Sequence, residues 1–178
     1  MRTPNPADSM SDALARAREL IATLRAQLST IVLGTAAPDG TPDTSVAATL
    51  LGADGAFVIY VSGLAAHTRN LRANPRASVL LIEPETTPGN PLARRRLTFA
   101  CAAEPVARDS TPHAEMVSAF RQKFGASIDV MAPLPDFQFF RLLPQTGRVV
   151  AGFGAAFEVN PRDWSDLTPV ARGPGRSA

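Results

Sequence analysis

The chain has 178 residues, of which 45% are hydrophobic and 19% charged, and its net charge at pH 7 is +2. This balance is typical of a soluble globular protein with one core, and it excludes an intrinsically disordered chain. The sequence has no apolar run near the ~20 residues that span a bilayer, and it begins without a signal-peptide pattern, so we expect a cytoplasmic protein with no membrane partner.

The cysteine and the basic residues limit the kinds of site and partner that we expect for this chain. Cys101 is the only cysteine, so the chain can form no internal disulfide and no thiolate zinc site, and we predict no metal site. Its position in the apolar run "LTFACAA" predicts a buried, unreactive thiol. The one basic cluster, Arg94-Arg95-Arg96, leads into a predicted strand, and we therefore expect no nucleic-acid partner.

The first predicted element is an amphipathic helix over residues 11–28, whose apolar side chains recur every three or four positions. Three strands follow, and the two connections between them, "PDGTP" and "GADG", carry the Asp-Gly pair that is typical of tight hairpins. The sequence thus predicts a three-stranded antiparallel meander, with strands over residues 29–37, 43–51 and 56–62.

A short crossover helix is predicted next, because "AAHTRNLRANP" (65–75) has few β-branched residues and ends at Pro75. Beyond it, a strand, a Pro- and Gly-rich loop and another strand precede a helix over residues 110–125, for which Ser110 or Thr111 is the predicted N-cap. Two more strands end the pattern, so the later strands are predicted at residues 77–83, 95–107, 136–144 and 147–159.

Six or seven sequential strands with so few helices predict a mainly β fold, a closed or nearly closed antiparallel barrel. We expect one domain over residues 11–165, between a flexible N-terminal tail (1–10) and a flexible C-terminal tail (166–178). The glycine-rich segment "GFGAA" (152–156) lies within the last strand pattern, and we interpret it as a bulge or a close backbone approach.

Four consecutive polar residues open the crossover helix: His67, Thr68, Arg69 and Asn70. At a helix N-terminus, free backbone N–H groups and the positive end of the helix dipole favour an anion. Arg69 would add a guanidinium, and its three neighbours would add further donors, an arrangement that suits a phosphate. The alternative interpretation is that Thr68 or His67 only caps the helix while Arg69 is solvated.

The pattern assigns no catalytic residue. Nucleophilic catalysis needs Ser or Cys beside a base, and the two histidines are His67 and His113, of which His113 is predicted on the surface in the first turn of a helix. We interpret Trp164 as packing on the outer face of the barrel, with contact to a cofactor as the alternative. Arg148 precedes an apolar strand, and its role stays open between a groove and solvent.

The segments "SGLAAHTRNLRANPRAS" (62–78) and "GFGAAF" (152–157) together resemble the FMN-binding split-barrel family related to pyridoxamine 5′-phosphate oxidase, and within it the heme-utilisation branch. The resemblance extends over about residues 20–164 and implies a mainly β (α+β) fold, a six-stranded antiparallel split β-barrel with flanking helices. It also implies a homodimer that binds FMN in a groove between subunits and works as an FMN-dependent oxidoreductase on an unidentified small-molecule substrate.

By the same resemblance, the FMN phosphate is expected to contact the second strand, the end of the third strand and the crossover helix. The chain departs from true pyridoxamine phosphate oxidases, since Ser45 and Leu50 stand where those enzymes place arginine and lysine. Each lost charge-assisted hydrogen bond weakens anion binding by about 1.5–3 kcal/mol, so pyridoxal phosphate synthesis is not expected. The implied cofactor-binding residues are Ser45, Tyr60, Val61, Ser62, His67, Thr68, Arg69 and Asn70.

The heme-utilisation branch implies an alternative function, a non-catalytic heme-binding or heme-trafficking protein on the same barrel. Heme-degrading relatives ligate iron through a histidine of their C-terminal region, and this sequence has no histidine after His113. We therefore expect heme as the alternative to FMN, without heme oxygenation. A third interpretation is an interaction module that keeps the dimer and has no cofactor.

Overall fold

The computed structural model of the chain describes residues 6–85 and 90–170. The helices are α1 (Pro6–Ala26), α2 (Ala66–Ala73), α3 (Thr111–Phe124) and α4 (Ser127–Met131). The strands are β1 (Thr30–Ala36), β2 (Pro42–Leu51), β3 (Phe57–Ser62), β4 (Arg76–Ile82), β5 (Arg96–Pro105), β6 (Phe137–Val150), β7 (Ala156–Asn160) and β8 (Asp163–Pro169). A 3₁₀ turn over Pro91–Ala93 lies in the connection between β4 and β5.

These strands form one antiparallel sheet in the order β3-β2-β1-β4-β5-β6-β7-β8. A further pairing between β3 and the first half of β6 closes six of them, β1 to β6, into a barrel. Strands β7 and β8 extend the sheet beyond the barrel from the second half of β6. The predicted six-stranded antiparallel split β-barrel with flanking helices is therefore confirmed.

Alternating side chains of the strands fill the barrel. Along β1, Ile31 and Leu33 are fully buried, whereas Val32 between them points outward and is half-buried. Helix α1 covers one end of the barrel, because its apolar stripe joins the same core. The stripe residues are Ala13, Ala17, Leu20, Ile21 and Leu24.

Trp164 of β8 belongs to this core, so the interpretation that it packs on the outer face of the barrel is wrong. It is 3% exposed, and its ring centroid lies 5.6 Å from that of Phe57 and 4.6 Å from that of Phe99. The guanidinium of Arg25, at the end of α1, lies 5.0 Å from the Trp164 ring and attracts its π face. Trp164 thus joins α1 and β8 to the barrel, and its buried ring is not available to a cofactor.

A second apolar cluster lies outside the barrel, where α3 and α4 cover β3 and the start of β6. At its centre, Tyr60 stacks on Phe139 at 4.2 Å, and Phe120 of α3 meets Phe139 edge-on at 5.2 Å. The predicted N-cap of α3 is confirmed, since the Ser110 hydroxyl accepts a hydrogen bond from the backbone N–H of His113. The prediction of a surface His113 is wrong: it is 8% exposed, because its ring packs edge-on against Phe139 at 5.1 Å.

The C-terminal part of the barrel differs from the sequence prediction. The two strands predicted at 136–144 and 147–159 are one continuous strand, β6, followed by the shorter β7. The segment 152–154 forms the turn between them, and Gly152 and Gly154 have φ angles of +132° and +69°, which favour glycine. The interpretation of this segment as a bulge inside a strand is therefore wrong. Helix α4 and strand β8 were not predicted.

The ordered elements also extend beyond the predicted domain limits. Helix α1 begins at Pro6, inside the predicted N-terminal tail, and β8 continues to Pro169, inside the predicted C-terminal tail. The rest of the two predicted tails, residues 1–5 and 171–178, lies outside the described residues. Among the helices that the structure describes, none combines the length and the apolar character that crossing a membrane demands.

Candidate functional site

The crossover from β3 into α2 is held against the start of β6. The backbone N–H of Gly63 donates to the carbonyl of Asp136 at 2.7 Å, and the Ser62 hydroxyl donates to the Asp136 carboxylate at 2.6 Å. The same Ser62 oxygen accepts a hydrogen bond from the N–H of Leu64 at 3.1 Å. The turn before α2 is therefore fixed, and the Ser62 side chain is already engaged within the protein.

Two of the four predicted phosphate ligands point into the protein. The Thr68 side chain is fully buried, and its hydroxyl donates to the carbonyl oxygen of Ser62 at 2.6 Å. Asn70 is 6% exposed, and its Nδ2 donates to the hydroxyl of Thr35 on β1 at 3.0 Å. Both side chains fasten α2 to the barrel, so the four polar residues do not converge on one point.

Arg69 lies on the exposed side of α2. Its Nη1 donates to the carbonyl oxygen of Leu64 at 2.6 Å, so that the side chain folds back over the turn. A guanidinium has five N–H donors, and this bond uses one of them. Arg69 can therefore still bind an anion above the crossover. Leu64 beside it is 83% exposed and gives the same surface an apolar contact.

His67 is half-buried at the start of α2. Burial lowers the pKa of its imidazole below the ordinary value, while the carboxylate of Asp43 on β2 partly opposes that shift. The ring is therefore neutral at pH 7, with one nitrogen able to act as an acceptor or as a metal ligand. Within residues 6–85 and 90–170, no group forms a hydrogen bond to the His67 ring.

The remaining predicted ligands lie at different depths. The Ser45 hydroxyl on β2 is buried and has no hydrogen-bond partner among the described residues. Val61 is 5% exposed within the barrel core. Tyr60 lies on the other face of β3, under α3 and α4, and its hydroxyl donates to the carbonyl of Met131 at 3.4 Å. Of the predicted ligands, His67 and Arg69 thus remain accessible to solvent, whereas Tyr60 and Val61 are buried.

Two site residues, Asp43 and Thr35, were missed from the sequence. They face each other in the register of β1 and β2, and the Thr35 hydroxyl donates to the Asp43 carboxylate at 3.4 Å. Asp43 is half-buried and Thr35 is 7% exposed. The "PDGTP" hairpin was a usable signal, because a three-residue turn over 38–40 places Thr35 and Asp43 opposite each other.

Other candidate ligand groups are enclosed. Burial raises the pKa of the Cys101 thiol to about 12, so it stays protonated at neutral pH. The Nε2 atom of His113 is buried and has no hydrogen-bond partner among the residues described. Both groups lie under neighbouring side chains, so His67 is the histidine that a ligand from solvent can reach.

Arg148 lies on the outer face of the sheet, in a polar groove of about 670 Å³ formed by β5 to β8. It stands opposite Glu158 in the register of β6 and β7 and opposite Thr98 in that of β5 and β6. The Arg94-Arg95-Arg96 cluster is used within the chain, since Arg94 and Arg95 bind the neighbouring Glu85 and Glu83.

The comparisons with known proteins agree with this fold. The sequence pattern of the pyridoxamine 5′-phosphate oxidase family matches residues 17–151. The chain is 38% identical over 149 residues to a protein named heme oxygenase HutZ from Vibrio cholerae serotype O1, covering 84% of each chain.

Two solved structures are similar to the chain. The crystal structure of Vibrio cholerae HutZ, described there as a heme storage protein, has a TM-score of 0.68 and 35% identity, covering 73% of this chain and 91% of that one. A heme-binding protein from Mycobacterium smegmatis has a TM-score of 0.69 and 28% identity, covering 93% of this chain and 62% of that one. The chain therefore belongs to the pyridoxamine 5′-phosphate oxidase family of split barrels and, within it, to the heme-utilisation branch.

Proposed function

We propose that this chain is a heme-binding protein and that heme binds at the crossover between β3 and α2. The observation that carries the proposal is His67, a neutral, half-buried imidazole to which no described residue forms a hydrogen bond. The names of the similar proteins, a heme oxygenase, a heme storage protein and a heme-binding protein, support heme over FMN.

The donor groups of the chain fit heme at this place. Protein ligands of heme iron are His, Cys thiolate, Met and Tyr. Cys101 is a buried, protonated thiol, and the Tyr60 hydroxyl is bonded to the chain, so neither is suited to the role. His67 supplies a nitrogen, the exposed Leu64 an apolar contact for the macrocycle, and Arg69 donors for the propionate carboxylates.

When bound, heme would supply the redox and oxygen chemistry of its iron. The residues of this chain have other tasks. Burial keeps the His67 ring neutral and therefore able to donate an electron pair. The hydrogen bonds of Thr68 and Asn70 to Ser62 and Thr35 keep α2, and hence His67, in a fixed position on the barrel.

We also propose that the protein is a homodimer that associates through the outer face of the sheet. One row of paired residues crosses this face, from apolar side chains on β2, β1 and β4 to charged ones on β6 and β7. Val46 in this row is 64% exposed, and Arg148 and Glu158 carry opposite charges. A twofold axis could bring each charge against its opposite. The row is Val46, Val32, Leu80, Thr98, Arg148 and Glu158.

Sedimentation equilibrium tests the dimer. Val46→Asp places a charge in the apolar part of the face and should yield monomers. Ser165→Asp adds the same charge at an exposed position of β8 outside that row and should leave the dimer intact. A wild-type protein that sediments as a monomer at high concentration would refute this part of the proposal.

FMN is the second candidate cofactor. The family match favours it, and so does the buried Ser45 hydroxyl, which has no partner among the described residues and could accept one. Against it, Thr68 and Asn70 are turned into the protein and cannot form the predicted phosphate clamp as they stand. Quenching of FMN fluorescence by the purified protein, at concentrations where heme binding is absent, would favour FMN.

Titration of the purified protein with hemin tests the main proposal. We expect a shifted Soret band that saturates at one heme per chain. His67→Ala should weaken binding by at least tenfold, about 1.4 kcal/mol, whereas His113→Gln, which changes the other histidine, should bind heme like the wild type. A Soret band identical to that of free hemin at every ratio would refute the proposal.

A further inference from the structure

A chain of hydrogen bonds connects the buried side of α2 to a carboxylate on β2. Asn70 Nδ2 donates to the Thr35 hydroxyl at 3.0 Å, and that hydroxyl donates to the Asp43 carboxylate at 3.4 Å. Asn70 and Thr35 are 6% and 7% exposed, so the bond between them is protected from water, and the bond from Thr35 to the half-buried Asp43 is partly so. The chain therefore fixes one carboxylate oxygen of Asp43 at the end of the barrel that α2 covers.

Helix α2, which carries His67, packs against both β1 and β2. His67 and Asn70 are three residues apart on α2, and residues at this spacing are neighbours on a helix surface. Asn70 contacts Thr35, and Thr35 stands directly opposite Asp43 in the register of β1 and β2. In agreement, the Asp43 carboxylate raises the pKa of His67 against the effect of burial.

We propose that Asp43 is a positioning residue for His67: its fixed carboxylate favours the tautomer and the orientation of the imidazole in which the ring N–H faces β2. The other ring nitrogen, which is unprotonated, then faces outward. Histidines that ligate metals usually have a carboxylate or a carbonyl at their second nitrogen, and loss of that partner typically reduces metal affinity 10- to 100-fold.

We distinguish two parts of this proposal. The orientation of the His67 ring is a property of the protein alone. Its consequence for heme affinity rests on the proposed function. Asp43 is the only charged residue of β2. Ser45, two residues further along the same strand, is uncharged, and its hydroxyl has no hydrogen-bond partner among the described residues.

Nitrogen-15 spectroscopy of protein labelled in its histidine rings tests the first part, without heme and at pH 8, where both imidazoles are neutral. The signals of His67 are those lost in His67→Gln. We expect one tautomer to dominate in the wild type. Asp43→Asn, which keeps the shape and removes the charge, should move the ratio toward that of a solvent-exposed histidine peptide. Thr35→Val, which releases the carboxylate, should have a smaller effect in the same direction.

Asp12→Asn is the matched control, because Asp12 is an exposed carboxylate on α1, remote from α2, and its removal should change nothing. A tautomer ratio in Asp43→Asn equal to that of the wild type would overturn the proposal, even if Thr35→Val failed to fold. For the second part, hemin titration of Asp43→Asn should give 10- to 100-fold weaker binding. A changed tautomer ratio in a protein whose wild type binds no hemin would support the positioning of the ring and overturn the proposed function alone.

Discussion

Replacing Thr68 by valine tests whether this residue fastens the crossover helix or binds a ligand. Valine has nearly the same shape as threonine and a similar helix propensity, so the change removes the hydroxyl and little else. In the structure that hydroxyl is fully buried and donates to the carbonyl of Ser62 at 2.6 Å. The variant therefore removes this hydrogen bond and leaves the carbonyl with the N–H of Ala65, which donates to it at 3.2 Å. Loss of one such hydrogen bond costs about 0.5–1.5 kcal/mol of unfolding free energy.

Urea denaturation measures that cost. For a slope near ~2 kcal/mol/M, a loss of about 0.5–1.5 kcal/mol lowers the midpoint by about 0.25–0.75 M. Thr68→Ser retains the hydroxyl and should stay much closer to the wild type, so the pair separates the hydrogen bond from the loss of a methyl group. If Thr68→Val kept the wild-type midpoint while cofactor affinity fell, Thr68 would be a ligand, and the inward orientation would not explain its role.

Three further predictions concern the barrel and α3. Burial raises the pKa of the Cys101 thiol to about 12, so iodoacetamide at pH 8 should label it only after the protein is unfolded in urea. Rapid labelling of the native protein would contradict this burial. Burial lowers the pKa of His113, so the folded state favours the neutral ring. The resulting stability is present above the ordinary histidine pKa of about 6.5 and is lost as the pH falls below it. His113→Gln should therefore lose less stability than the wild type between pH 7 and pH 5, and equal losses would refute the assignment. A Cβ at Gly147 would lie 2.5 Å from the Phe99 ring, so Gly147→Ala should cost about 1–3 kcal/mol by thermal denaturation. Gly34→Ala, whose Cβ would lie 3.4 Å from the nearest side-chain atom, should cost much less, and similar values for the two variants would count against the packing argument.

The barrel could be predicted because its signals are local. The Asp-Gly hairpins and the alternating strands give the meander of β1 to β3, and Pro75 limits the crossover helix. The length of β6 could not be predicted, since Pro144 and Gly147 interrupt its pattern. Pairing with β5 overrides both, with a register shift between Ala100 and Cys101.

The polar segment at the start of α2 could be recognised from the sequence, but the orientation of its side chains could not. Polar residues at the start of a helix suit an anion equally well whether they face solvent or the core. The orientation of α2 decides between the two, and it depends on contacts with β1 that are remote in sequence. One local signal for the inward orientation of Thr68 was available in the sequence. Leu71 is apolar and buried, and Thr68 stands three residues before it, on the same face of the helix.

Strand β8 gave little signal because "DWSDLTP" alternates weakly and contains two aspartates. It forms because β7 presents an unpaired edge and because Trp164 can enter the core between Phe57 and Phe99. A sequence pattern describes neither the edge nor the cavity that this side chain fills.

The resonance Raman spectrum of the ferrous heme complex would show directly whether His67 ligates heme iron, since it reports the bond between iron and its axial ligand. We predict an iron–histidine stretching band that shifts when the histidines are labelled with nitrogen-15, that persists in His113→Gln and that is lost in His67→Ala. Retention of the same band in His67→Ala would contradict it.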